Sequence, residues 1–296
     1  MEIRKSERKQ AKIKIALQGS AGSGKTYSSL LLGKGLAGGD LTKIAIIDTE
    51  NKSADLYAHL GSYNVVAMNA PYSPERYIEA IELCEKSGME VIILDSISHC
   101  WDYLLEVHSN MPGNSFANWG KVTPRQNSFI NKILSSETHI ISTMRVKQDY
   151  VLNQKNGKMV PEKVGLKAIQ RNDLDYEFTI VFDIDTIHSA KATKDRTGLF
   201  VNTPEFKISS NTGMKIRNWC SQDDRIRREK VQKEVDECQS IEALRYVYAK
   251  YPDMQETIKP LIMERKKELE SIHSQIIPNS QIIQKTKISK NGVNNS

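Results

Sequence analysis

Between residue 12 and about residue 200, short apolar, β-branched runs alternate with stretches of helical pattern. The runs KIKIAL, KIAIID, NVVAM, VIILD, THIIST and YEFTIVFDI read as strands, and several are apolar without alternation, as in strands covered on both faces. Helices are predicted at Thr26 to Ala37, at Pro74 to Ser87 and at Pro124 to Ser135, the last with Thr123 as cap and Pro124 presetting the first-turn φ. This alternation predicts an α/β fold, a mostly parallel central sheet flanked by helices. After Cys220 the pattern becomes helical and highly charged, as in DRIRREKVQKEVDE and SIEALRYVYAK. A last helix is expected from Asp253, with Glu256 at capping-box spacing, and Pro260 leaves one helix or two short ones equally open. The pattern divides the chain into a core over 1–222, a small C-terminal helical appendage over 223–272, and a tail over 273–296. The tail contains no acidic residue and little to pack, so disorder is expected there.

At 296 residues and 39% hydrophobic, the chain can bury one large core plus a smaller one. No apolar run approaches membrane-spanning length, and the charged start MEIRKSERKQAK is unlike a signal peptide, so a cytoplasmic protein with no membrane partner is expected. Cys84, Cys100, Cys220 and Cys238 form no CxxC pair, which argues against a zinc site and a disulfide framework. A net charge of +6 is too modest to identify a nucleic-acid binder, so the distribution of charge matters more.

The strongest chemical signal is GSAGSGKT. It fits GxxxxGK[ST], follows the first predicted strand and opens the first predicted helix. Gly19, Ser20, Ala21, Gly22, Ser23 and Gly24 form a loop whose N–H groups can surround phosphate oxygens at the positive end of a helix dipole. Lys25 is placed to reach the β and γ phosphates, the Thr26 hydroxyl to ligate Mg²⁺, and Tyr27 adjoins the bound nucleotide. A glycine-rich turn without a ligand is the bland alternative, and the strand–loop–helix context argues against it. Asp95 ends the apolar strand VIILD, where a second acid for the magnesium shell is needed.

The segment NKSAD is one residue too long for the guanine-reading NKxD element and lies in the wrong place, and no arginine-rich lid separates the loop from Asp95. Asp48 and Glu50 end the second strand and face one side. A glutamate there can polarise a water for attack on the γ phosphate. At this point the chain resembles the RecA family, in which aliphatic residues, Ile-Asp-Ala-Glu and a short helix ending in Leu-Gly occur together. The family's glutamate matches Glu50 and acts as catalytic base. The resemblance runs from Lys12 to about residue 200 and implies a RecA-like P-loop NTPase using ATP and Mg²⁺.

Within that group the chain resembles phage and prophage ATPases with a minimal core, through WGKVTP, THIISTMRVKQDYV, VGLKAIQRNDLDYEFTIVFDID and KDRTGLF. Such proteins are described as recombination or single-strand annealing factors. The family ends this strand with a glutamine that senses the γ phosphate, whereas this chain has STMRV, so Thr143 and Arg145 become the candidates. In RecA-like proteins the next loop lines a path for single-stranded DNA. Here that segment carries Arg145, Lys147, Lys155, Lys158, Lys163, Lys167 and Arg171 against Asp149 and Glu162, with Tyr150 able to stack on a base. It reads equally well as a solvated hairpin around Asn156-Gly157. Lys194 and Arg196 resemble cations that complete a neighbouring subunit's site in RadA-type proteins and replicative helicases; the alternative is a β-turn with solvated charges.

Asp183, Asp185 and His188 are more readily strand-end polar residues than a metal or nuclease site, Trp119 reads as a packing residue, and Arg227 and Arg228 read as a solvated face. The resulting expectation is an ATPase that self-associates as a ring or filament on single-stranded DNA, with a single-strand-binding or recombination partner, in an infected or lysogenic bacterial host. A hexameric helicase-like translocase and a non-catalytic, nucleotide-switched adaptor remain as alternatives.

Overall fold

The computed structural model describes residues 12–155, 158–171 and 174–288, with side chains described except at 148–155, 158–166, 222–226, 253 and 272–288. One compact unit ends at Ser221 and a second begins at Gln222. The first unit contains β1 (Lys14–Gly19), α1 (Lys25–Leu36), β2 (Ile44–Asp48), β3 (Asn64–Ala67), α2 (Pro74–Lys86), β4 (Val91–Asp95), α3 (Ser98–Ser109) and α4 (Ser115–Ser135). There follow β5 (His139–Lys155), β6 (Lys158–Ala168), β7 (Ile180–Ile184), β8 (Ala190–Asp195) and α5 (Ser210–Cys220). The sheet order is β3-β2-β4-β5-β1-β7-β8, parallel throughout except for the antiparallel edge strand β8. This is the α/β architecture that the alternating pattern predicts.

Successive strand residues feed two cores, because side chains alternate across a sheet. Ile15, Leu17, Ile44, Ile46 and Ile93 pack with Leu30, Leu32 and Leu36 of α1 and Ile216 of α5. Ala16, Ala45, Ile47, Ile92 and Leu94 pack with Tyr77, Ile81, Phe129 and Ile133 from α2 and α4. The central strands are therefore apolar on both faces. Only Ala190 of β8 is buried, and the strand's polar sequence hides it from a search for apolar runs.

α4 starts well before the expected Pro124. Asn114 caps it by accepting from Phe116 N at 2.8 Å and Ala117 N at 3.3 Å, and Pro124 sits inside the helix. β5 continues past its sheet partners and pairs antiparallel with β6, so the basic segment is a hairpin rather than an irregular loop. Its tip residues, Asn156 and Gly157, lie outside the described residues.

The second unit comprises α6 (Gln222–Asp236), α7 (Ile241–Lys250) and α8 (Gln255–Ile288), around Val231, Val235, Leu244, Val247 and Ile258. α8 is one helix with Pro260 inside it, and it extends over 273–288 of the tail segment; residues 289–296 lie outside the described residues. All four cysteines are buried thiols. Among the described residues, no helix is long and apolar enough to cross a membrane.

Two buried features generate tests of this packing. A β-carbon on Gly213 would lie 2.1 Å from Leu32 O, so α5 approaches α1 where a side chain cannot fit. Gly213→Ala is expected to destabilise the first unit by about 1–3 kcal/mol, read as a lower urea midpoint. His139 is buried and accepts a hydrogen bond from Ile13 N at 3.2 Å, and burial, reinforced by Lys12 and Lys14, takes its pKa from 6.5 down to about 3. Between those values the unfolded chain binds the extra proton, so His139's contribution is present above pH 6.5 and is lost as pH falls below it. A loss of about 1 kcal/mol is expected near pH 5.5 relative to pH 7.5, and His139→Gln should flatten that dependence in urea unfolding.

Candidate functional site

β1 delivers the chain at Gly19 into a loop that ends at Gly24, the residue capping α1 with φ 83°. That left-handed backbone favours glycine, and a β-carbon there would also meet His188 Nδ1 at 3.0 Å. His188 Nδ1 itself lies 3.0 Å from Ser23 O, so the β7–β8 turn buttresses the loop. Lys25 Nζ donates to Gly19 O at 2.9 Å and Ser20 O at 2.8 Å, which holds the ammonium across the loop. Burial lowers the Lys25 pKa, while the carboxylates of Asp95 and Glu50 oppose that shift and Arg145 adds to it.

Asp95 stands at the end of β4 and is 2% exposed. Thr26 Oγ1 donates to its Oδ2 and Thr143 Oγ1 to its Oδ1, each at 2.5 Å. Burial raises the Asp95 pKa, and the two hydroxyls partly offset this. Thr26, Asp95 and Thr143 thus meet at one point, although they lie in α1, β4 and β5.

Asp48 and Glu50 have separate tasks. Asp48 Oδ1 accepts from Glu50 N at 2.6 Å and its Oδ2 from Ala54 N at 2.9 Å, so this carboxylate fastens the turn that presents Glu50. Glu50 is gripped by Arg145, whose Nε donates to Oε1 at 2.9 Å while Nη2 donates to Oε2. Burial would raise the Glu50 pKa, but the Arg145 hydrogen bonds and charge outweigh it, and the carboxyl sits below its usual range. His99 closes the surround: its Nδ1 lies 2.7 Å from Thr49 Oγ1, its Nε2 lies 4.0 Å from Glu50 Oε1, and its ring stacks on Tyr72 with centroids 4.9 Å apart.

The donor set fits a phosphate chain with a magnesium ion. Thr26 and Asp95 offer the hard oxygens such an ion takes, and the buried Ser23 hydroxyl lacks a hydrogen-bond partner among the described residues. Tyr27, 39% exposed in the first turn of α1, lies against Tyr57 with ring centroids 5.6 Å apart, an aromatic pair beside the loop.

Other expected residues lie apart from this centre. Lys194 and Arg196 stand on the opposite rim of the sheet: Asp195 pairs with Ile180 and Ile180 with Ile15, whereas the phosphate loop leaves from Gly19 beside Ile184. Lys194 Nζ donates to Asp175 O at 2.8 Å and to Tyr176 O, and Arg196 Nη2 donates to Tyr176 O at 2.7 Å. Asp183 accepts from Gln18 Nε2 at 2.6 Å, and Asp185 Oδ1 accepts from Ile187 N at 3.0 Å and Ser189 N at 2.8 Å. Among the described residues no group of three acidic, histidine or cysteine side chains gathers to hold a metal. Lys147 and Lys167 face each other at the hairpin base, and Arg171 Nη1 donates to Asn127 Oδ1 at 3.0 Å. The side chains of Tyr150, Lys155, Lys158 and Lys163 lie outside the described residues.

With the loop, Asp95 and the sheet order in view, the sequence profile of the AAA domain matches residues 11–212, from just before β1 into α5. The chain belongs to the AAA domain family. It is an AAA-type P-loop ATPase, and membership of the family implies ATP binding. Among solved structures it is similar to a KaiC-like protein from the hyperthermophilic archaeon Pyrococcus horikoshii, at 14% identity and a TM-score of 0.38, covering 62% of this chain and 79% of that one. No curated protein matches the sequence.

The pairing of Glu50 with Arg145, 95 positions apart, carries no local sequence signal. Its position just after Asp95 marks His99 as a neighbour of the site, whereas only proximity to IDTEN and to the end of β7 hints at Tyr57 and His188.

Proposed function

We propose that this AAA-domain ATPase hydrolyses ATP slowly and uses its nucleotide state to act on single-stranded DNA, in recombination or strand annealing of the kind bacteriophages carry out. The observation that supports this reading best is the Glu50–Arg145 pair. Arg145 ends the part of β5 that is paired with β1, its carbonyl accepts from Ile169 N at 2.8 Å, and the basic hairpin starts at the next residue. Arg145, the partner of the proposed base, is therefore next to the proposed DNA-contacting segment along a single strand.

In this reading the loop N–H groups and Lys25 hold the phosphates, and Thr26 and Asp95 hold Mg²⁺, which neutralises charge on the phosphate chain when bound. Thr143 fixes the Asp95 carboxylate. Glu50, ionised at neutral pH, accepts a proton from the attacking water once Arg145 turns from it toward the γ phosphate. Lys194 and Arg196, on the far rim, act on the nucleotide of a neighbouring copy, so self-association completes the site. A cation supplied in this way contributes about 10³ or more in rate.

Two measurements test the reading. ATP turnover with single-stranded DNA is expected to exceed turnover without it. Lys25→Ala is expected to lose ATP binding, and Glu50→Gln to bind ATP but turn over at least about 10²-fold more slowly. Absence of both DNA stimulation and DNA binding would remove the DNA assignment, and an active Glu50→Gln would remove the base. Separately, Arg196→Ala subunits mixed with Lys25→Ala subunits are expected to regain activity, since one of the two kinds of mixed boundary pairs an intact loop with an intact cation. Failure of rescue at every ratio would return Lys194 and Arg196 to their local role on the Asp175 and Tyr176 carbonyls.

A further inference from the structure

A groove of about 1570 Å³ lies between α3, α4 and the base of the β5–β6 hairpin, away from the nucleotide loop. Small-molecule sites run to about 1,000 Å³, so this volume suits an extended ligand better than a compact one. Along one wall Trp101 and Trp119 stack with centroids 5.9 Å apart at 20°, and His108 stacks on Trp119 at 4.1 Å and 24°. At the groove's edge Phe116 is 89% exposed in the first turn of α4, an isolated aromatic ring turned to solvent.

The opposite wall is cationic. Lys147 and Lys167 are directly paired across β5 and β6, both exposed and both lining the groove, with Arg171 beyond them. Like charges opposite each other on one face of a hairpin repel, and an anion between them removes that cost. Asp102 and Glu177 also line the groove, so the attraction is concentrated at the lysine pair rather than spread over the whole surface. Gln126, 2% exposed, carries a buried Oε1 that lacks a hydrogen-bond partner among the described residues and gives the floor an acceptor.

We propose that this groove binds single-stranded DNA, with bases stacking on the Trp119 ladder and on Phe116, and backbone phosphate held between Lys147 and Lys167. The inference rests on the DNA reading above and gives it a place: the α4 face, which the basic hairpin alone does not include. Cations without rings would suit any polyanion, and rings without cations would suit an apolar peptide. The combination selects a chain that presents both unpaired bases and phosphates.

The test uses the full-length chain carrying Trp219→Phe, so that Trp101 and Trp119 supply the tryptophan fluorescence. A thymidine oligonucleotide of about 20 nucleotides is expected to quench that fluorescence, with a duplex of the same length quenching far less, because its base faces are already stacked. Phe116→Ala removes an exposed ring, and Gly120→Leu adds bulk where a β-carbon has nothing within 4 Å. Each is expected to weaken oligonucleotide binding roughly tenfold with an unchanged melting temperature. Lys147→Ala with Lys167→Ala should make the log–log salt slope shallower by about 1.4. Full affinity in both Phe116→Ala and Gly120→Leu, while wild type still binds DNA, overturns the groove and leaves the function reading standing. So does equal quenching by duplex, or a change of oligomeric state in Phe116→Ala without a change in DNA affinity. Absence of oligonucleotide binding by wild type removes both.

Discussion

The arrangement of the core hangs on one buried carboxylate. Asp95 is 2% exposed, and it persists there because Thr26 and Thr143 each donate a hydroxyl to it at 2.5 Å. A carboxylate in that position without donors would be strongly unfavourable. Its satisfaction ties the first turn of α1 to β4 and to β5, and its backbone carbonyl accepts from Thr49 N at 2.8 Å, which brings in the end of β2. Every group proposed to meet nucleotide in this chain is set by a strand end or helix start joined at that point. The neighbouring positions then follow: once β2 ends beside Asp95, Asp48 caps the turn after it, and Glu50 is held at the same rim.

β5 gives this centre a way outward. Within three alternate residues it supplies Thr143 to Asp95, Arg145 to Glu50, and Lys147 to the hairpin base. All three are on one strand and at one parity, so a shift of β5 that moves one moves the others. Gln170, just after β6, donates to Ile97 O at 2.6 Å, and Ile97 N donates to Thr143 O at 3.1 Å, so the hairpin's return strand is anchored to the same rim. The Arg145 grip lowers the Glu50 pKa yet engages both of its oxygens, so the glutamate is kept ionised and held by a cation at once. A catalytic role requires that grip to loosen. The natural competitor for a guanidinium is the terminal phosphate of bound nucleotide.

Much of this was legible because the decisive features are local. A phosphate loop is a strand, a run of glycines and a helix in immediate succession, and Asp95 ends an apolar run whose character needs no partner to be seen. Parity along KIAIIDTEN placed Asp48 and Glu50 on one side, but it could not show that one caps a turn while the other meets Arg145. The features missed depend on distant pairs. His188 meets the loop from 165 residues away. Lys14, within KIKIAL, is 5% exposed and donates to Ser136 O at 2.7 Å and Thr138 O at 2.6 Å, a burial set by partners more than 120 residues away. Pro124 has the look of a first-turn residue and so suggests a late start for α4, whereas the Asn114 side chain closes the helix end upstream.

The position of Lys194 and Arg196 follows from strand direction. Because β8 runs antiparallel to β7, the turn entering β8 lies beside the phosphate loop and the turn leaving it lies at the other rim, about 13 Å away along the strands. His188 occupies the near turn and the two cations the far one. The cations therefore cannot reach the phosphate loop of their own chain, and their hydrogen bonds to the Asp175 and Tyr176 carbonyls pre-order them as a fixed projection rather than a flexible pair. An antiparallel edge strand makes the same short β8 serve two surfaces, one that supports the chain's own loop and one that faces away from it. If the far surface has a nucleotide to meet, that nucleotide belongs to another copy, because the direction of β8 puts the two cations at the rim opposite their own loop.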